Sequence, residues 1–143
     1  YIEDIHFETI PEPILRLPEL IRLEMVSCEI SSFPDTVPCC AECISVLNLC
    51  GNKLRVIPKG LANWKNLEAL EFTLNPIMDF ANIECLLQLA NLKTVMLLEG
   101  EKSLDMSTLD VFCQEFAHMP AALKLGYVCA KLSEKDPSCH VYL

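Results

Sequence analysis

The chain has 143 residues, enough for one domain with a continuous core, and at 52% hydrophobic and 22% charged it is not disordered by composition. A net charge of −9 and scattered Lys and Arg argue against nucleic acid and anionic membrane surfaces as partners, and favour a basic or mixed protein surface. Four glycines leave no Gly-rich phosphate loop, and no run of about 18 apolar residues offers a transmembrane helix.

Taken in chain order, the apolar residues recur at a spacing of about 23. Ile2 falls in a strand slot, and Phe7, Ile10, Pro11, Ile14 and Leu17 follow it as the second half of a unit. The chain thus opens in mid-repeat, with 1–19 as a partial first repeat, and reads as a piece of a longer array. The next copy runs through Leu20, Leu23, Met25, Cys28, Ile30, Phe33, Pro34, Val37 and Cys40. The third is the most regular: Ile44, Leu47, Leu49, Asn52, Leu54, Ile57, Pro58, Leu61 and Trp64, of the form LxxLxLxxNxLxxIP. Leu67, Leu70, Phe72, Asn75, Ile77 and Phe80 repeat it, and Leu92, Val95 and Leu97 begin a fifth copy with Gly100 in the Asn slot. Agreement at so many positions marks a genuine internal repeat over 20–100.

Beyond 100 the pattern loosens. Apolar Leu109, Phe112, Cys113 and Phe116 predict a helix over 107–119, capped by Ser107 and stopped by Pro120. A strand is expected over 122–126, a polar loop over 133–138, and a last short strand over 140–143. Together 101–143 form an irregular closing unit of a single domain spanning 1–143.

The repeat resembles the leucine-rich-repeat family, most closely its intracellular Ras-group-like variants with an IP or LP dipeptide. The resemblance implies an α/β solenoid, a right-handed superhelix with a parallel β-sheet on its concave face. Strands are expected at 22–26, 46–50, 69–73 and 94–98. Alternate residues of each point inward and need a stacked neighbour to cover them. Asn52 and Asn75, after the strand, can satisfy turn backbone groups otherwise buried unpaired, and Cys28 fills the same slot less well.

Catalytic and metal chemistry find little support. Nine cysteines, an odd count, in a chain with room for a core favour reduced thiols and a cytoplasmic or nuclear setting; a secreted, disulfide-capped domain is the alternative. Residues 1–30 show no signal peptide. Cys39, Cys40 and Cys43 lie close together, but no second CxxC or HxxxH completes four zinc ligands, so they read as core or near-core thiols. His118 follows Cys113 by five residues, so the two face differently on one helix and make no nucleophile–base pair. Glu99, Glu101 and Asp105 read as a solvated loop, and Trp64 as core. No cofactor, metal or catalytic residue is expected.

The residues alternating with the core positions face outward, where family members commonly hold a partner. The first column is Arg22, Val46, Ala69, Thr94. The middle is Glu24, Asn48, Glu71, Met96. The last is Val26, Cys50, Thr73, Leu98. An apolar strip around two carboxylates suits a basic and apolar protein segment. The resemblance therefore implies a protein-protein interaction module, the recognition part of a larger signalling or immune-receptor-like protein. The alternative is a substrate-recruiting arm of an enzyme complex such as a ubiquitin ligase or phosphatase.

Overall fold

The computed structural model describes residues 1–36, 38, 43–79, 82–97, 128, 132, 134 and 139–142. Its architecture is α/β: one parallel sheet, backed by short helical connections. The strands are β1 (Ile2–Glu3), β2 (Arg22–Val26), β3 (Val46–Asn48), β4 (Ala69–Glu71), β5 (Thr94–Met96) and β6 (His140–Tyr142). They are hydrogen-bonded in chain order. β2 to β6 form a continuous five-strand ladder, and the two-residue β1 extends it at one edge.

The register follows the repeat. Leu23 pairs with Leu47, Leu47 with Leu70, Leu70 with Val95 and Val95 with Val141. Partners are therefore 24, 23, 25 and 46 positions apart along the chain. Leu23, Leu47, Leu70 and Val95 are at most 4% exposed, and Met25, Leu49, Phe72 and Leu97 are fully buried. Burying such a side chain contributes about 1.5–3 kcal/mol, which no single strand could realise without its neighbours.

The strands β3 to β5 are shorter than expected, three residues where five were read. In the third unit the cause is local, since Asn48 Oδ1 accepts from the Cys50 amide at 2.9 Å and diverts it from the ladder. Parallel pairing still continues through Leu49 N to Glu71 O (2.9 Å), Gly51 N to Thr73 O (3.0 Å) and Phe72 N to Met96 O (2.7 Å).

After β1 to β4 the chain turns through a left-handed residue at an equivalent position. Asp4, Ser27, Gly51 and Leu74 have φ of 55°, 53°, 69° and 57°. In the first three of these turns that residue's N–H donates into the next unit: Asp4 to Val26 O, Ser27 to Cys50 O and Gly51 to Thr73 O. Only one of the four is glycine, so three turns hold a side chain in a conformation costing about 1–2 kcal/mol.

Next comes the Asn slot. Asn52 Nδ2 donates to Met25 O (2.7 Å) and Leu49 O (2.9 Å), while Oδ1 accepts from Cys28 N and Ile30 N, both at 3.0 Å. Asn75 repeats this one unit on, donating to Leu49 O and Phe72 O and accepting from Leu54 N. Both are buried polar residues whose bonds join two units. Cys28 covers less: its thiol donates to Val26 O at 3.2 Å and Ile2 O at 3.6 Å.

The returning connections are α1 (Glu12–Leu15) and 3₁₀ turns at Lys59–Asn63 and Ile83–Gln88. Pro11 and Pro58 precede the first two, where a missing N–H costs nothing. Gly60 packs against the preceding connection so closely that a Cβ there would meet Pro34 O at 2.4 Å. Trp64 is fully buried with its ring 5.5 Å from Phe33, as a core residue.

Two expectations are corrected. Leu17 matches Trp64 in sequence, yet it is 50% exposed, because the first unit lies at the sheet's end and its outer flank faces solvent. The last short strand expected over 140–143 is present as β6, and it pairs directly with β5. The loop reading of 133–138 also changes in part: Glu134 is helical, as are Val128 and Leu132, and the latter two are buried. Val37, Cys39, Cys40, Phe80, the 98–105 segment with Leu98 and Gly100, the helix over 107–119 and residues 122–126 themselves lie outside the described residues.

Candidate interaction face

The outward side chains of the sheet stand in rows fixed by the ladder. Arg22, Val46, Ala69 and Thr94 are successive partners, as are Glu24, Asn48, Glu71 and Met96. All are half-buried except Arg22, which is exposed. In the last column, Val26, Cys50 and Thr73 are half-buried, and Thr73 Oγ1 lies 3.3 Å from Cys50 Sγ and 3.0 Å from Glu71 Oε1. Leu98, read as the fourth member, lies outside the described residues. The register thus brings together the outward set that the alternation of the strands indicates.

All three rows extend further than the sequence reading placed them. Glu3 pairs with Val26, and Tyr1, one position before Ile2, falls opposite Glu24. Tyr1 is 74% exposed, and its phenol titrates above its ordinary value. The causes are a hydrogen bond with Glu3, some desolvation, and the negative field of Glu3, Glu24 and Asp4. At the other end, His140 takes the register position beyond Thr94, and Tyr142 the one beyond Met96. A spacing of 46, twice 23, could have revealed them.

Charge on the face is arranged unevenly. Arg22 Nε hydrogen-bonds Glu24 at one end of the rows. Glu71, in the centre, accepts from Thr73, and no cation among the described residues pairs with it. The other carboxylates with described ion pairs, Glu12, Glu29 and Glu68, are held by Arg16, Lys53 with His6, and Lys93.

A cleft of about 160 Å³ opens on this face. Ala69, the smallest side chain of its row, forms the dent, with Val46 and Thr94 beside it, Asn48 and Glu71 as its far wall, Met96 at one end and Arg22 beyond Val46 at the other. Larger hollows of about 540 and 590 Å³ lie on the opposite side, where successive connections meet. The first is lined by Glu12 and Arg16, which already satisfy each other. The sheet is therefore the candidate face.

The cysteine reading is met only in part by described residues. Cys28, Cys85 and Cys139 are buried, Cys50 is half-buried and Cys43 is exposed, and all five are free thiols. Burial pushes the Cys85 thiol up to about 11, opposite to what a nucleophile needs. No group of three or more His, Cys, Asp or Glu suited to a metal occurs among the described residues, and none of their helices is long and apolar enough to cross a membrane. Compared with family models, with curated proteins and with solved structures, the chain matches none.

Proposed function

We propose that the chain is a leucine-rich-repeat solenoid acting as a non-catalytic protein-protein interaction module, with the outward face of its sheet holding a basic and apolar segment of a partner. One observation carries this reading: adjacent parallel strands align Glu24, Asn48, Glu71 and Met96 in one row beside Val46 and Ala69. These positions do not face the core, so apolar side chains there contribute little to folding and are available to a partner. The free thiols and the net charge of −9 fit a cytoplasmic module within a larger signalling protein.

The test uses capture from native cell extract with the wild-type chain, Glu71→Lys and Met96→Glu as parallel baits. A partner is expected to be retained by the wild type and lost by both variants, while their melting temperatures stay within about 2 °C of wild type. Retention by all three baits, or loss of binding only in step with loss of folding, would defeat the reading.

A further inference from the structure

The cleft over Ala69 has a chemistry of its own, and it deepens the interaction reading on which it rests. We propose that it receives one lysine or arginine side chain of the partner, its aliphatic stem lying in the dent and its cation meeting Glu71.

Ala69 leaves a gap between the larger Val46 and Thr94 of its row, and Met96 closes the end. Floor and end are largely apolar, one wall carries the Glu71 carboxylate and the Asn48 amide, and the Arg22 guanidinium, which also lines the cleft beside Val46, is held by Glu24. A purely apolar side chain would leave that wall's polar groups desolvated without a new partner. An acidic one would meet like charge. Lys and Arg place three or four methylenes along apolar surface and hold the charge at the tip, which matches this order of chemistry.

Glu71 is poised for such a guest. It is half-buried, its Oε1 is fixed by Thr73 Oγ1 at 3.0 Å, and no described cation pairs with it. A carboxylate already oriented by a neighbour loses less freedom when it binds a cation. The contrast with Glu24 is direct, since that carboxylate is engaged by Arg22 of its own strand. Complementary charge therefore points to the centre of the row rather than its edge.

The experiment follows backbone amide NMR shifts of the full chain on titration with four capped tripeptides: acetyl-Ala-Lys-Ala-amide and its Arg, Met and Glu counterparts. Saturable shifts around Asn48, Ala69, Glu71 and Met96 are expected with the Lys and Arg peptides, about fivefold tighter than with the Met peptide, a ratio typical of a half-exposed ion pair. The Glu peptide should be weakest. Glu71→Gln should bring the Lys and Arg peptides down to the Met level, and Ala69→Leu should abolish all shifts at the face. Glu68→Gln, whose carboxylate pairs with Lys93, should change nothing.

Equal binding of Lys, Arg and Met peptides at the face would overturn the cation assignment and leave the interaction face standing. The same holds if Glu71→Gln leaves the preference intact. Absence of shifts at the face with every peptide would overturn both. Neither Ala69 nor Glu71 faces the core, and Glu71→Gln, nearly isosteric, keeps the test decisive if Ala69→Leu folds poorly.

Discussion

Asn52 and Cys28 occupy the same slot in successive units, but their substitutions should not be symmetrical. Asn52 Oδ1 is the acceptor for two buried amides, Cys28 N and Ile30 N, and its Nδ2 serves the Met25 and Leu49 carbonyls. In Asn52→Cys a thiol can still donate toward a carbonyl, as Cys28 does toward Val26 O and Ile2 O. It is a weak acceptor, however, and too short to bridge both amides. Two buried N–H groups are then left unpaired at about 1–3 kcal/mol each, so roughly 2–6 kcal/mol is lost from a domain whose whole stability is about 5–15 kcal/mol. At the first turn the situation differs. Asp4, Ile5 and His6 are exposed, so amides there can turn to water, and Phe7 N already donates to Cys28 O at 2.8 Å. Cys28→Asn should therefore change stability by less than about 1 kcal/mol. Urea unfolding read by the fluorescence of Trp64, the single tryptophan, gives both numbers, with the slope checked for loss of cooperativity. If Asn52→Cys falls within about 0.5 kcal/mol of wild type, or Cys28→Asn is as damaging, the bridging role of the slot is refuted.

Leu70→Ala should cost about 2–5 kcal/mol in the same assay, because Leu70 is 1% exposed between two paired strands. Gly60→Ala should cost about 1–3 kcal/mol despite good helical propensity, since its new methyl would meet the Pro34 carbonyl; an unchanged midpoint would refute that close approach. The Cys85 thiol is raised from 9.0 to about 11 by burial, so the folded state keeps its proton where the unfolded chain has lost it. That contribution is full below about pH 9 and is lost as pH rises toward about 11, so stability should decline more steeply there in wild type than in Cys85→Ala. Glu29 moves the opposite way: Lys53 and His6 hold its carboxyl below the usual range, so its contribution is present above that range and fades in acid. Melting temperatures of Glu29→Gln and wild type should therefore converge as the pH drops below about 4, and divergence in acid would contradict the ladder of ion pairs.

The strand positions and their register were legible in the sequence because a parallel sheet covered on one side selects side chains at fixed slots. Leu47, Leu70 and Val95 meet as their spacing indicates, and Asn52 and Asn75 announce the turns they bridge. What escaped the pattern depended on contacts that composition does not encode. The early end of β3 follows from the Asn48 side chain capturing the Cys50 amide. Leu17 shares a slot with Trp64, but exposure depends on whether another unit covers that flank, which no local pattern reports. The strand at the chain's end was expected, but its place beside β5 was not, because its partner lies two periods back rather than one. The outward set was readable from alternation, whereas the dent over Ala69 and the lack of a cation on Glu71 among the described residues needed the neighbouring side chains in place.

The left-handed turns at Asp4, Ser27, Gly51 and Leu74 divide the molecule's tolerance for added sequence unequally. Each turn residue is bonded or aligned to the unit beside it at a set distance from its strand, so an extra residue between strand and Asn slot would pull the slot's amide away from the backbone groups it bridges. Chain length between partners obeys no such rule: Val95 and Val141 lie 46 positions apart, about twice the usual interval, yet the ladder resumes in step. Insertions, tags and acquired domains therefore belong on the connections behind the sheet, where they can accumulate without disturbing the spacing of the face in front.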